Sequence, residues 1–528
     1  MITLDDFFQS GMTFQCGKPF RLSGRCEEPA ELRVLLNGTV LAGLSLPAGP
    51  FSLTLPPQPA QTGAELRLET AGQTLVLPDL DFGEVWIAGG QSNMEFQLRH
   101  DLGFRTALRE GRSFTEDDPH LRTFDLPHLA YPEAPADPIR GVWRRADADG
   151  LPYFSAVGYY FGAMLRKALG VPVAIVACNW GGTPASAWTS RERLLADPAL
   201  AFLVEEADRR AETADRDAEI RRAASKNAAV SSRPAWVGRM LDHMMAGEMS
   251  AWDRFLNDRI FPLYAKKYDR FQKEVFWTDS CRPCALYDAM LTKLAGTAAR
   301  GVIWYQGESD DRRAALYDRS FTAVIESWRA LWQEELPFLF VQLAPFGHWG
   351  GCLGTDYPLL REKQEQVSKT VPSVWMASIM DAGEEDDIHP KDKQPVGERL
   401  ALLARGKVYG EDLPCEAPEL DSVAWTDGSF VLTFRNAEGG LAGAAGCAGS
   451  AGFAGLELLR DGTPVTGFEA RVSGDRFLIT PEDPLPGVYT FKYLRVPYVK
   501  ADVYAADCLR FGASRGLTPK PFETTYQL

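Results

Sequence analysis

Four segments of the chain carry the residue types that hydrolysis of an ester by a serine requires. That chemistry needs a nucleophilic hydroxyl, a base that removes its proton, a group that orients the base, and hydrogen-bond donors for the oxyanion of the intermediate. Ser92 lies in the run Gly89-Gly-Gln-Ser-Asn-Met, directly after a predicted strand at residues 84–88. The glycines permit a tight turn from strand to helix, so the sequence predicts Ser92 as a nucleophile at the carboxyl end of a sheet, where open α/β sheets bind ligands.

The candidate base is His389, in the run Asp386-Asp-Ile-His-Pro that follows a predicted strand at residues 374–379. A separation of three residues allows Asp386 to fold back and hold the second nitrogen of the imidazole. Asp387 competes with Asp386 for this orienting role. Pro390 favours the start of a helix, predicted over residues 394–405, which would anchor the loop.

Two further segments offer donors for an oxyanion. The loop that begins at Asn179 contains Gly181 and Gly182, whose backbone N–H groups can approach a ligand closely. Gln306 follows another predicted strand, at residues 301–305, and its side-chain amide can donate to the same oxygen. Each such donor is worth about 3 kcal/mol in the transition state.

A second serine, Ser514, lies in a Gly-x-Ser-x-Gly pattern at residues 512–516. In α/β-hydrolases that pattern needs a strand before the serine, a helix after it, and a histidine later in the chain. No histidine follows His389 in the sequence. We therefore reject Ser514 as a nucleophile.

The elements around these segments predict three domains of an α/β protein. Residues 1–80 show short alternating runs and turn residues typical of a β domain. Residues 81–408 alternate buried strands with helices, which indicates a parallel sheet covered by helices, and a charged helical insertion interrupts them at about 200–285. Residues 409–528 return to alternation of period two and predict a β-sandwich-like domain, within which the Ala- and Gly-rich stretch 438–455 is expected to form a loop.

Composition narrows the choice of partners. The net charge of −15 repels phosphate backbones and anionic lipid, so we expect no nucleic-acid partner and no membrane partner. The nine cysteines are odd in number and scattered, and no export signal is seen at the start, so we expect a cytoplasmic protein without a disulfide framework. The pair Cys281 and Cys284 has metal-ligand spacing but lacks a second pair or a nearby histidine, and we expect no metal there.

In order and wording, the four segments resemble the sialate O-acetylesterase family, part of the wider SGNH/GDSL hydrolase group. The resemblance runs through most of residues 80–408. It implies a flavodoxin-like α/β/α domain with Ser92 as nucleophile, His389 as base and Asp386 as its orienting residue. It also implies an oxyanion hole made of the Ser92 N–H, an N–H of Gly181 or Gly182, and the Gln306 amide, where the wider group uses an Asn. Further expected substrate contacts are Asn93, Trp188 and Glu308, although core packing is the alternative role for the tryptophans of these motifs.

The function that the resemblance implies is hydrolysis of O-acetyl esters on sugars through an acetyl-enzyme, most simply on 9-O-acetylated sialate, without metal or organic cofactor. Its expected partner is an acetylated monosaccharide or oligosaccharide. The alternatives are an esterase for acetylated xylan or another plant polysaccharide, and a glycan-binding protein on an inactive hydrolase scaffold. Two departures from the family stand out: the insertion near 200–285, and the lack of an export signal where relatives are secreted or lysosomal.

Overall fold

The computed structural model describes residues 1–134, 140–231, 235–256, 259, 276–349, 352–443 and 453–528. The chain divides into two compact units, the first formed by Met1–Ile303 and Thr322–Phe338, the second by Trp304–Phe321 and Leu339–Leu528. Strands and helices mix in both units, which confirms the predicted α/β fold class with flanking β segments. The exact limits of the three predicted domains stay a prediction.

The first unit begins with short strands whose apolar residues alternate with polar ones, and most of them pair antiparallel, whereas Thr13–Gln15 pairs in parallel. Their buried faces form one apolar core that includes Phe14, Phe20, Leu66 and Phe82. Burial of this alternating face is what makes short strands stable in water. The strands are Ile2–Leu4, Thr13–Gln15, Phe20–Cys26, Ala30–Leu36, Thr39–Leu46, Gly49–Leu55 and Gln61–Thr70.

One strand of 18 residues, Gln73–Gly90, connects this β region to the parallel sheet. Its first half pairs antiparallel with Gln61–Thr70, and residues 84–90 pair in parallel with Val173–Asn179. The predicted boundary at residue 80 therefore falls inside a continuous strand. In the first unit the sheet runs in the order Trp143–Ala146, Asp118–Asp125, Val173–Asn179, Gln73–Gly90 and the start of Gly301–Tyr305.

Helices of the first unit cover this sheet and form the insertion. Ala156–Leu169 is capped at its start by the Ser155 hydroxyl and ends at Gly170, whose φ of 69° is left-handed. In the predicted insertion the described helices are Ala201–Thr213, Arg216–Ser231, Ala235–Met245 and Ala251–Phe255, whereas residues 232–234, 257–258 and 260–275 lie outside the described part of the chain. The remaining α-helices are Ser92–Glu95, Leu102–Arg109, Arg191–Ala196 and Ala285–Ala289, with 3-10 turns at Leu98–His100, Leu151–Tyr153, Ala185–Trp188 and Leu291–Leu294.

The second unit contains the end of the strand Gly301–Tyr305, most of the strand Phe338–Val341, and the strand Val374–Ala377, and these strands are wholly or largely buried. The helix predicted over 394–405 is observed as Gln394–Leu403, followed by the π-turn Ala404–Val408. The other elements here are the first residues of the helix Tyr317–Trp332, whose remainder belongs to the first unit, the helix Tyr357–Thr370, the 3-10 helices Glu308–Leu316 and Gly354–Asp356, and the short strands His348–Trp349 and Cys352–Leu353.

The C-terminal residues form β-sheets that share a core of aromatic residues, among them Phe430, Phe477, Tyr489 and Phe491. One four-stranded sheet contains Glu419–Thr426, Ser429–Arg435, Arg476–Pro481 and Phe468–Ser473; another contains Thr463–Pro464, Leu456–Arg460, Val488–Tyr493 and Phe522–Gln527. Leu441–Gly443 pairs with Val503–Ala505, and the 3-10 helix Asp507–Phe511 follows. Half of the predicted loop 438–455, residues 444–452, lies outside the described residues.

Among the residues described, no helix has both the length and the apolar character that crossing a lipid bilayer requires.

Candidate active site

Ser92 lies where the sequence predicts it, at the carboxyl end of a buried parallel strand. The strand ends at Gly90, whose φ of 129° favours glycine, and Ser92 then opens the short helix Ser92–Glu95. The Gln91 carbonyl accepts the N–H groups of Met94 and Glu95 at 2.9 Å, and the Ser155 hydroxyl donates to the Met94 carbonyl at 2.6 Å. The turn that carries the half-buried Ser92 is therefore held from both ends.

The loop after Val173–Asn179 lies against this turn. The Asn179 side-chain amide donates to the Ala88 carbonyl at 3.1 Å, and the Trp180 N–H donates to the Gly90 carbonyl at 3.1 Å. A Cβ placed on Gly181 would lie 3.2 Å from the Cβ of Ser92. Glycine is thus needed at position 181 because the backbone packs directly on the candidate nucleophile.

The two glycines of this loop differ in what their amides do. The Gly181 N–H donates to Glu95 Oε2 at 2.6 Å, so this geometry favours Gly182 over Gly181 as the oxyanion donor, and that role stays a prediction. Gly182 is exposed, with a φ of 76°, and remains the candidate donor. Glu95 was missed from the sequence, although it stands three residues after Ser92, a spacing that places two residues on one helical face.

Gln306 is fully buried in the second unit, and hydrogen bonds fix its side chain. Its Nε2 donates to Asp310 Oδ2 at 2.6 Å, and its Oε1 accepts from the Tyr317 hydroxyl at 2.9 Å. One of the two N–H bonds of the amide is therefore engaged within the unit. Its role as an oxyanion donor stays a prediction, and so does substrate binding by Glu308, which is 8% exposed.

His389, the candidate base, is 8% exposed in the loop that precedes Gln394–Leu403. Its Nδ1 lies 3.9 Å from Asp387 Oδ1, and the same carboxylate oxygen accepts the His389 backbone N–H at 2.8 Å. Asp387 Oδ2 is bound by the ammonium of Lys391 at 2.8 Å. The carboxylate beside the imidazole is therefore that of Asp387.

The predicted orienting residue, Asp386, points elsewhere. Its side chain is exposed and lines a cavity with His348, Glu384, Glu385, Tyr498 and Lys500. The geometry thus favours Asp387, the alternative that the sequence left open, and the orienting role itself stays a prediction. The physical reason is that the Asp387 side chain folds back onto the backbone N–H two residues on, an Asx-type turn that brings this carboxylate, and not its neighbour, to the imidazole.

The surroundings of His389 lower the pKa of its imidazole from 6.5 to about 3. Burial is the largest cause, because it disfavours the charged form, and the positive charges of Lys393 and Lys391 add to it. Lys393 is fully buried, with its ammonium 5.5 Å from the centre of the Tyr305 ring. At neutral pH His389 is therefore uncharged, which is the form that can accept a proton.

The burial of Trp188 favours the alternative role in core packing. Its ring is fully buried, and its indole N–H donates to the Thr183 hydroxyl at 3.0 Å, while substrate binding by this residue stays a prediction. Asn93 is also interior, 1% exposed, and its substrate role stays a prediction. Ser514 donates to Glu398 Oε2 at 2.6 Å, a structural contact that agrees with its rejection as a nucleophile.

Comparison with known proteins places these motifs in a family. Residues 269–404, which include Gln306, Asp387 and His389, match the carbohydrate esterase family described as sialic acid-specific acetylesterase. Sialate O-acetylesterase of Mus musculus is 27% identical over 391 residues, 69% of this chain and 62% of that protein. Sialate O-acetylesterase of Homo sapiens is 27% identical over 399 residues, 70% of this chain and 61% of that protein. The chain thus spans about three fifths of the length of these relatives.

The similarity also holds in three dimensions. The crystal structure of a carbohydrate acetylesterase from Xanthomonas citri superimposes with a TM-score of 0.71 at 27% identity and covers 99% of each chain. The family model covers the segments of Gln306 and His389, and the mammalian relatives and the X. citri structure extend the similarity over most of the chain, so the resemblance of this chain to the sialate O-acetylesterase family is confirmed.

Proposed function

We propose that this protein is a carbohydrate esterase that removes O-acetyl groups from sugars, with Ser92 as its nucleophile. The observation that carries the proposal is the packing of the Gly181 backbone on Ser92 at the end of a buried strand, which puts a glycine loop directly beside the candidate nucleophile. The similarity to the carbohydrate acetylesterase of X. citri over 99% of the chain supports it.

In the proposed reaction Ser92 Oγ attacks the acetyl carbonyl carbon, and its proton passes to the neutral imidazole of His389. The tetrahedral intermediate then expels the sugar oxygen, which takes that proton from His389. Water then attacks the carbonyl carbon of acetyl-Ser92 while His389 takes one of its protons. The second tetrahedral intermediate expels Ser92 Oγ, which takes that proton back from His389, and the acetyl group is released as acetic acid, which ionises to acetate. Every step exchanges one proton between His389 and an oxygen, so the proposed reaction consumes only water.

The residues around these two groups have separate roles in the proposal. The Ser92 N–H, the Gly182 N–H and the Gln306 amide donate to the oxyanion, where each donor contributes about 3 kcal/mol. Asp387 replaces Asp386 as the partner of His389, because it is the carboxylate at 3.9 Å from Nδ1. Its negative charge favours the imidazolium that forms when Ser92 attacks.

The substrate that we favour is an O-acetylated sialic acid, since the matched family is described as sialic acid-specific and the mammalian relatives as sialate O-acetylesterases, and the 9-position is our own choice for the test. The second candidate is an acetylated plant polysaccharide such as xylan, because the X. citri enzyme is described only as a carbohydrate acetylesterase. Acetate release from 9-O-acetyl-N-acetylneuraminic acid and from acetylated xylo-oligosaccharides, compared at equal acetyl concentration, separates the two.

Hydrolysis of an aryl acetate tests the chemistry without reference to the sugar. We expect turnover by the wild type, its loss in Ser92→Ala, and its retention in Ser514→Ala, the matched control in the other serine pattern. Activity that survives in Ser92→Ala would refute the assignment of the nucleophile. A wild type that binds acetylated glycans but hydrolyses neither ester would instead support a glycan-binding protein.

A further inference from the structure

Glu95 connects the turn that carries Ser92 to the loop that carries the two glycines. It is the last residue of the short helix that Ser92 begins. Its carboxylate accepts the Gly181 N–H at 2.6 Å and the Arg140 guanidinium N–H at 2.7 Å. Both bonds are assisted by the negative charge, which makes them stronger than bonds between neutral groups.

We propose that Glu95 is a positioning residue: it fixes loop 181–182 against Ser92 and so determines that the Gly182 amide, and not that of Gly181, faces the oxyanion. The inference rests on the proposed function, because it assigns a role within that reaction.

The close contact between Gly181 and Ser92 requires that hydrogen bonds, such as the one from the Gly181 N–H to Glu95, hold the glycine loop in place. A Cβ at position 181 would lie only 3.2 Å from Ser92 Cβ, a tight contact, and glycine itself has no side chain that could hold the loop by packing. Hydrogen bonds of Asn179 and Trp180 to the strand Gln73–Gly90 fix the start of the loop. The Glu95 carboxylate supplies the next fixed point, at the residue that touches the nucleophile.

The carboxylate itself is held from the opposite side. Arg140 is 11% exposed and donates to Oε1, the oxygen that Gly181 does not use. The His128 ring stacks on Trp180 at 4.2 Å between ring centres, and its Nε2 lies 3.6 Å from the same Oε1. Glu95 therefore sits between a cationic side chain and the loop, which limits the directions in which its carboxylate can move.

This arrangement also determines which amide is available. Because the Gly181 hydrogen points to Glu95, it cannot point to an oxygen bound at Ser92. A loop released from Glu95 would be free to turn that peptide and to shift the Gly182 amide. Misplacement of a catalytic contact by about 1 Å can cost about 100-fold in rate, whereas ground-state binding of a small ester depends little on the oxyanion donors.

The test compares Glu95→Ala and Glu95→Gln with Glu110→Ala, an exposed carboxylate paired with Arg112 that serves as the matched control. We measure kcat and KM for an aryl acetate, the rate of covalent labelling of Ser92 by a fluorophosphonate, and thermal unfolding. For Glu95→Ala we expect kcat and labelling to fall about 100-fold while KM stays within about twofold. Glu95→Gln, which keeps an acceptor oxygen but loses the charge, should fall only about 10-fold.

A kcat for Glu95→Ala within about twofold of the wild type, alongside an inactive Ser92→Ala, would overturn this inference and leave the proposed function standing. A change confined to KM would also overturn it, since that is the result for a substrate contact. Activity that persists in Ser92→Ala would mark failure of the proposed function itself. If Glu95→Ala does not fold, the nearly isosteric Glu95→Gln serves as the test variant. Its kcat is then compared with that of Glu110→Ala at a temperature where both variants are folded, and a kcat equal to that of the control would overturn the inference.

Discussion

The carboxylate that serves His389 can be identified by a pair of matched substitutions, Asp387→Asn and Asp386→Asn. Each replaces one carboxylate by a neutral amide of nearly equal size, so packing changes little while a charge is lost. The two residues are neighbours in sequence but not in environment: Asp387 lies 3.9 Å from the imidazole, and Asp386 is exposed on a cavity.

The size of the effect follows from the distance. Two unit charges about 4 Å apart attract by about 4 kcal/mol at the effective dielectric constant of about 20 that suits pairs near a protein surface. The Lys391 ammonium at 2.8 Å from the second carboxylate oxygen offsets part of this attraction for the imidazolium. A net loss of about 3 to 4 kcal/mol in the transition state corresponds to a fall of roughly 100- to 1,000-fold in kcat/KM.

Initial rates of aryl acetate hydrolysis, measured across substrate concentrations, give kcat/KM for both variants, and circular dichroism with thermal unfolding checks that each is folded. We expect Asp387→Asn to lose roughly 100- to 1,000-fold and Asp386→Asn to stay within about twofold of the wild type. The reverse order, with Asp386→Asn impaired and Asp387→Asn active, would refute the assignment made from the 3.9 Å distance.

Three further outcomes follow from the same geometry. Burial and two lysines hold the pKa of His389 at about 3, below its usual 6.5, so the acid limb of the kcat/KM profile should lie well below pH 6.5. Lys393→Met removes one of these positive charges and should move that limb to higher pH, which pH–rate profiles from pH 3 to 8 will show. Gly181→Ala should lower kcat about 10- to 100-fold with little change in the unfolding temperature, because its Cβ would press on Ser92 at 3.2 Å. Trp188→Phe should leave KM unchanged but lower the free energy of unfolding by about 1 to 3 kcal/mol in denaturant titrations, because a buried hydroxyl loses its donor.

The elements that carry the site were predictable because their sequences are locally unambiguous. Buried parallel strands appear as continuous apolar runs bounded by turn residues, so Gly301–Tyr305 is observed with the predicted bounds. Ser92 follows such a strand through glycines, and its place at the strand end required only that rule. The fold class followed from the alternation of these strands with helices.

The sequence could not determine the features of the site that depend on the direction of the backbone within loops or on contacts between residues distant in sequence. Asp386 and Asp387 have the same chemistry and adjacent positions, and only the turn at His389 decides which one reaches the imidazole. The hydrogen bond from Gly181 to Glu95 joins residues that are 86 positions apart, and no sequence pattern predicts it. Trp188 has the residue type of a sugar-stacking platform, but exposure decides between that role and core packing, and exposure is a property of the fold.

The environment of His389 also limits how the proposed reaction can proceed. An imidazole with a pKa of about 3 has little tendency to take a proton from a serine hydroxyl before attack begins. It becomes a competent base only when negative charge accumulates on the carbonyl oxygen and when Asp387 offsets the charges of Lys391 and Lys393. Proton transfer and oxyanion formation should therefore occur together, and loss of Asp387 should affect both acylation and deacylation, since each passes through the same imidazolium.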